Sequence, residues 1–129
     1  MLQPGIKGTR QIKVCPENTA KAVGSGTLDV FATPAMLALM EETSWRTVAP
    51  YLEEGQGTVG TLLNVAHSAP TPLGMTVTCD VELTAVEGRK LTFQVTARDE
   101  KGEIGSGVHE RFIVEDAKFQ AKANKKAEL

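Results

Sequence analysis

The sequence has 129 residues, enough for one domain that can bury a core of its own. A net charge of −2 excludes the strongly basic character typical of nucleic-acid binding, and no apolar run approaches the ~20 residues that cross a bilayer. Residues 1–8 lack the apolar centre of a secretory signal, so we expect a cytoplasmic protein with no membrane partner.

The first third of the chain gives weak structural signals. Residues 1–9 are rich in Gly and Pro and are expected to form a loose lead-in, followed by a short strand at residues 11–15. Residues 16–32 are mostly small or polar and predict a flexible loop with room for one helical turn. The cysteines, Cys15 and Cys79, form no CxxC motif and no His/Cys cluster, so we expect no metal site, and Cys79 falls on the apolar side of a predicted strand.

Residues 33–49 predict one long helix with apolar side chains over most of its surface. Thr33 suits the N-cap, Pro34 suits the first helical position, and Pro50 favours an end near Ala49. A helix that is apolar on most sides packs inside a fold rather than on its surface. We therefore expect this helix to be central.

Four strand signals follow the helix, at residues 57–66, 75–86, 91–98 and 103–114, with short turn signals between the last three. The second alternates clearly, and its apolar row is Met75, Val77, Cys79, Val81, Leu83 and Ala85. The pattern predicts an α+β fold in which an antiparallel sheet wraps around one long central helix. The tail, residues 116–129, is rich in Ala and Lys and predicts a short helix. Without repeats or linkers, residues 1–129 are expected to form a single domain.

Glu41 is the most informative residue of the predicted helix. Its neighbours at helical spacing mark a face that should point inward, namely Leu37, Ser44, Trp45 and Val48. A carboxylate on an apolar face is costly unless it is paired, so Glu41 is either a functional acid or a carboxylate satisfied by backbone or hydroxyl donors. Glu42 can instead pair with Arg46 at i,i+4 and is expected to be solvated.

Thr33 and His67 are the other candidates for chemistry. Thr33 shares a side of the helix with Glu41, and a capping threonine still has a hydroxyl proton to give. His67 ends the first strand after the helix, and counting by twos puts it on the helix side with Val59, Thr61, Leu63 and Val65. A neutral imidazole is a good general base, although a lone histidine there is also common in cores. For His109 we favour a structural role or a role in supporting the residues that carry the chemistry.

Several blocks of the sequence resemble the hotdog-fold acyl-CoA thioesterases, and within them the fluoroacetyl-CoA thioesterase group. The matching blocks are residues 30–33, 39–41, 49–53, 57–61, 66–74, 86–89 and 103–111. The block around His67 and the run GEIGSGVHER are the most specific. The resemblance implies that Thr33, Glu41 and His67 are catalytic. It also implies that Gly60 and Arg111 bind substrate, although Arg111 could instead pair with a carboxylate.

The same resemblance implies thioester hydrolysis in a homodimer whose two subunits contribute to each site. Coenzyme A is part of the substrate, and no separate cofactor is expected. Residues 24–28 lack the two phenylalanines that the fluoroacetyl-specific enzyme carries there, which favours a short- or medium-chain acyl-CoA as substrate. The alternatives are an acyl-CoA hydratase or dehydratase, which would release no thiol, and a non-catalytic acyl-CoA binding module.

Overall fold

A five-stranded antiparallel sheet forms most of the structure, a computed structural model that describes residues 1–128. The strands are β1 (Lys7–Lys13), β2 (Gln56–His67), β3 (Thr76–Glu87), β4 (Lys90–Asp99) and β5 (Gly102–Glu115). The helices are α1 (Ala20–Val23), α2 (Thr33–Val48) and α3 (Asp116–Lys125). The strand order is β1-β3-β4-β5-β2, so β1 and β2 are the edges of the sheet.

The predicted elements from residue 33 onwards are confirmed to within one or two residues. The beginning of the chain differs, because β1 starts at Lys7 and pairs with β3 over its whole length. The expectation of a loose lead-in is therefore wrong for residues 7–9, where backbone pairing with β3 outweighs the local composition. Within the described residues, no helix is long and apolar enough to span a membrane.

The core lies between α2 and the inner face of the sheet. One stripe of α2 is buried, and it includes Met36, Met40 and Val48. The sheet contributes the predicted inner row of β3 and its neighbours on β4 and β5, namely Val77, Cys79, Val81, Leu83, Leu91, Phe93, Val95, Ala97 and Ile104. Burial raises the pKa of the Cys79 thiol to about 11, in keeping with its predicted place in the core.

The register of the sheet shifts at three places, and two of these β-bulges, on β3 and β2, change a predicted face. On β3 the register shifts between Leu83 and Ala85, so Val86, not the predicted Ala85, packs against the core. On β2 the register shifts between Gly60 and Leu62, which makes Thr61 the extra residue. Strict alternation therefore fails within β2.

The β2 bulge corrects one predicted face. Leu63, Val65 and His67 lie on the helix side, as expected, because they pair with inward-facing positions of β5. Before the bulge, Thr58 and Gly60 face the helix instead of Val59 and Thr61. The sequence pattern could not reveal this change because one extra residue reverses the alternation of everything before it.

Candidate active site

Thr33 and His67 form a hydrogen-bonded pair at the start of α2. The N-cap of α2 is Ala32, so the expected capping role of Thr33 is wrong: Thr33 is the first helical residue, and no side chain caps the helix. Its Oγ1 lies 2.7 Å from Nδ1 of His67 at the end of β2. The hydroxyl is therefore committed to the imidazole rather than to the backbone.

A cleft of about 270 Å³ lies beside this pair. Apart from Thr33 and His67, it is lined by Ala20, Ser25, Val30, Phe31, Ser68, Ala69 and Pro70. Residues 24–28 are exposed and contribute Ser25 to its wall. Burial lowers the pKa of His67, and the weaker effect of the Ala69 backbone raises it. His67 is thus favoured in the neutral form that a general base requires.

Glu41 belongs to a different group of side chains. The expectation that it points into the interior of its own chain is wrong, because its side chain is 41% exposed. The buried stripe of α2 passes through Met40, and the next residue along a helix is turned by about 100°. One carboxylate oxygen of Glu41 accepts a hydrogen bond from Nη1 of Arg111 at 3.2 Å.

Arg111 is buried and is engaged on several sides. Its Nε donates to Oγ1 of Thr58 at 2.8 Å, and its Nη2 donates to the carbonyl oxygen of Thr58 at 2.9 Å. Its Nη1 donates to Glu41 and to His109. The alternative that Arg111 pairs with a carboxylate is therefore confirmed, and its direct contact with substrate stays a prediction.

Gly60 allows Glu41 to reach this position. It lies directly before the bulge and opposite Arg111 in the β2–β5 register. A Cβ atom at Gly60 would collide with Oε2 of Glu41 and lie 3.3 Å from Nη1 of Arg111. The absence of a side chain at Gly60 therefore lets the Glu41 carboxylate approach the β2 backbone closely.

We expect Gly60→Ala to displace the Glu41 carboxylate and to lower kcat at least ~10-fold with little loss of stability, because the half-exposed side chain can move into solvent. Gly57→Ala is the matched control, since Gly57 lies on the same strand as Gly60 and its Cβ would meet the carboxylate of Asp116 in α3, away from Glu41. Steady-state kinetics and thermal melts of both variants provide the measurement. Equal kcat values in the two variants would argue against a role for Gly60.

The two groups are far apart within one chain. Thr33 and Glu41 are separated by about 12 Å along α2 at 1.5 Å per residue. Gly60 and His67 are separated by about 23 Å along β2 at ~3.3 Å per residue. A single chain therefore presents a hydroxyl and imidazole at one place and a carboxylate and guanidinium at another.

Sequence reasoning missed two members of the second group. Thr58 holds the guanidinium of Arg111 with both its hydroxyl and its carbonyl oxygen. The carbonyl of Leu62, just after the bulge, accepts from His109 at 2.8 Å. The available signal was an arginine in the inward row of β5, which requires nearby oxygen acceptors.

Comparison with known proteins defines the class of this fold. The hot-dog-like protein from Thermanaerovibrio acidaminovorans superposes with a TM-score of 0.86, at 25% identity over 95% of this chain and 91% of that one. The fold is thus a hotdog fold. A solved structure of the fluoroacetyl-CoA thioesterase FlK superposes with a TM-score of 0.93, at 42% identity over 98% of both chains.

The sequence comparisons identify the family. A profile of the family described as "Fluoroacetyl-CoA-specific thioesterase" matches residues 14–117. The fluoroacetyl-CoA thioesterase of Streptantibioticus cattleyicolor is 51% identical over 98 residues, which cover 76% of this chain and 70% of that protein. The chain belongs to the fluoroacetyl-CoA-specific thioesterase family. It is therefore a thioester hydrolase, as the resemblance implied.

Proposed function

We propose that the protein hydrolyses a short- or medium-chain acyl-CoA to the free acid and coenzyme A, at a composite site between two copies of the chain. Thr33 and His67 come from one copy, and Glu41 comes from the other with Gly60 and Arg111 around it. The observation that carries this proposal is the separation of the two groups within one chain, each with part of the machinery that thioester hydrolysis needs.

The positions of the two groups along α2 fit a two-fold axis. Leu37 lies midway between Thr33 and Glu41, and it is only half-buried in the single chain. Two α2 helices crossing antiparallel at Leu37 would bring Thr33 of one copy towards Glu41 of its partner. Burying the free apolar surface at this crossing would contribute to the stability of the dimer.

The same axis fits β2. Leu63, which is 36% exposed, lies near the midpoint between Gly60 and His67. β2 is an edge strand, so it can continue the sheet by pairing antiparallel with its own copy. Pairing centred near Leu63 would put His67 of one copy opposite Gly60 of its partner. The helix and the strand thus lead independently to the same arrangement.

The chemistry follows from these groups. His67 acts as general base, either on water or on the Thr33 hydroxyl to which it is bonded. Glu41 either stabilises the charge of that system or attacks the thioester carbonyl itself, forming an anhydride that water then cleaves. A backbone N–H group at Gly60 or at the start of α2 would stabilise the developing oxyanion. The thiolate of coenzyme A leaves and takes up a proton.

Substitutions of Thr33 separate the first two routes. If the hydroxyl is the nucleophile, Thr33→Ser retains activity, whereas Thr33→Ala loses it nearly completely. If water is the nucleophile and Thr33 only orients His67, Thr33→Ala keeps a measurable fraction of kcat. Single-turnover kinetics would detect an acyl-enzyme that accumulates in the first case only.

The proposed function is tested by a panel of acyl-CoAs, from acetyl-CoA and fluoroacetyl-CoA through butyryl-CoA to longer chains, with free thiol trapped by a coloured reagent. We expect turnover that is not confined to fluoroacetyl-CoA, because residues 24–28 place no aromatic side chain beside the cleft at Thr33 and His67. Conversion of an enoyl-CoA without thiol release would favour a hydratase. Binding without turnover across the panel would favour a binding module.

A further inference from the structure

His109 is a residue of β5, the strand that lies between β4 and β2, and its side chain has no accessible surface. It stacks on Phe93, with ring centroids 6.1 Å apart, and it pairs in register with Leu63 on the other side. A buried imidazole is costly unless both of its nitrogens have partners. Both do: Nδ1 lies 2.8 Å from the carbonyl oxygen of Leu62, and Nε2 lies 3.1 Å from Nη1 of Arg111.

These partners fix the tautomer of His109. A carbonyl oxygen only accepts, so Nδ1 must carry the proton. A guanidinium only donates, so Nε2 must offer a lone pair. Protonation of Nε2 would set an imidazolium against the guanidinium of Arg111. In agreement, burial lowers the pKa of His109, and Arg111 lowers it further, against the opposing effects of the Leu62 carbonyl, Glu41 and Glu110.

We infer that His109 is a positioning residue for the reaction: its neutral Nδ1–H tautomer holds Arg111 so that Arg111 holds the Glu41 carboxylate against Gly60. This inference depends on the proposed function because it takes Glu41 as part of the site. His109 is connected to Glu41 in two ways. Through Nε2 it accepts from the Arg111 nitrogen that also donates to Glu41.

The second connection runs through the bulge. Nδ1 of His109 donates to the carbonyl of Leu62, the first residue paired after the register shift. The same shift turns Gly60 towards α2, where its backbone borders the carboxylate of Glu41. His109 therefore ties the shape of the bulge to the orientation of the ion pair. Phenylalanine would match the ring but leave the Leu62 carbonyl and one Arg111 donor unsatisfied.

The first test compares two substitutions in the same stack. His109→Phe keeps an aromatic ring and removes both nitrogens, whereas Phe93→Leu disturbs the stack and keeps both hydrogen bonds of His109. We expect His109→Phe to lower kcat at least ~10-fold with less than ~3-fold change in KM, and Phe93→Leu to lose stability but retain kcat per folded molecule. Equal kcat losses in the two variants would overturn the inference.

The second test does not need substrate and works on the wild-type chain. The sequence has only two histidines, so long-range proton–nitrogen correlation spectra contain two imidazoles, and a His67→Ala variant assigns them. We expect His109 to be the neutral Nδ1–H tautomer at neutral pH and to stay mostly neutral at about pH 6.5, where an ordinary histidine is half protonated. An Nε2–H tautomer, or a charged ring at neutral pH, would overturn the inference.

The outcomes separate this inference from the proposed function. If Glu41→Gln is inactive while His109→Phe turns over normally, the composite site stands and His109 has no positioning role. If the wild-type protein releases no thiol from any acyl-CoA, both proposals fail. If His109→Phe does not fold, His109→Gln replaces it, because its amide can satisfy only part of the pair of contacts, and the same kcat loss is expected.

Discussion

Glu41→Gln is expected to lower kcat by ~10²–10⁴-fold or more while leaving the fold intact. The amide has the size of the carboxylate and can still accept a hydrogen bond from Nη1 of Arg111. It cannot carry the negative charge, act as a base or attack a carbonyl. The substitution removes the carboxylate partner of the buried Arg111, but the guanidinium keeps its hydrogen bonds to Thr58 and His109. Thiol release under saturating acyl-CoA measures the effect.

Glu42→Gln is the matched control for this substitution. Glu42 is the next residue on α2 and pairs with Arg46 at 2.9 Å and with Arg10 at 3.5 Å. These exposed ion pairs contribute little to stability. The kcat of Glu42→Gln should therefore stay within about twofold of wild type. The melting temperatures of both variants should lie within about 3 °C of wild type. Wild-type turnover in Glu41→Gln would remove Glu41 from the site.

His67→Ala is expected to reduce kcat by a similar ~10²–10⁴-fold, because it removes the base and the partner of the Thr33 hydroxyl. The pH dependence of kcat in the wild-type protein provides an independent test. Burial lowers the pKa of His67, so the imidazole stays neutral at pH values below the ordinary histidine pKa. The midpoint of the acid-side loss of kcat should therefore lie below about pH 6.5. A midpoint clearly above that value would contradict His67 as the base.

Mixing the two inactive variants tests whether the site is composite. After dissociation and random reassociation, half of the dimers contain one copy of Glu41→Gln and one of His67→Ala. Each such dimer has one intact site, so about a quarter of wild-type activity should return. The reciprocal mixture of wild type with the double variant should gain nothing beyond its wild-type dimers. Activity in the mixed dimers of the second mixture but not the first would place Glu41 and His67 of one chain together.

Much of this architecture could be predicted from the sequence because local and global signals agree. Thr33, Pro34 and Pro50 bound α2 to within a residue or two, and period-two alternation located β3 and β4. β1 was harder to locate, since Gly and Lys residues form a strand there only because β3 supplies the backbone partners. The predicted strand at residues 11–15 shares only residues 11–13 with β1.

Candidate residues for the site could be named from the sequence, but their arrangement could not. Thr33, Glu41 and His67 stand out by chemistry and by their family resemblance. The grouping of Glu41 with Gly60 and Arg111 follows from the bulge at Thr61 and from the rotation of Glu41 away from the buried stripe of α2. Both are matters of register: one inserted residue and one helical step decide which side chains meet. Composition and periodicity do not resolve single-residue offsets of this kind.

The two edge strands of the sheet have opposite effects on solubility. β1 carries Lys7, Arg10 and Lys13, and such cationic side chains discourage unwanted strand addition. β2 is longer and exposes Leu62 and Leu63 instead. In a newly synthesised chain, the β1 edge is therefore protected from aggregation by strand addition. The β2 edge stays prone to aggregation until another strand pairs with it.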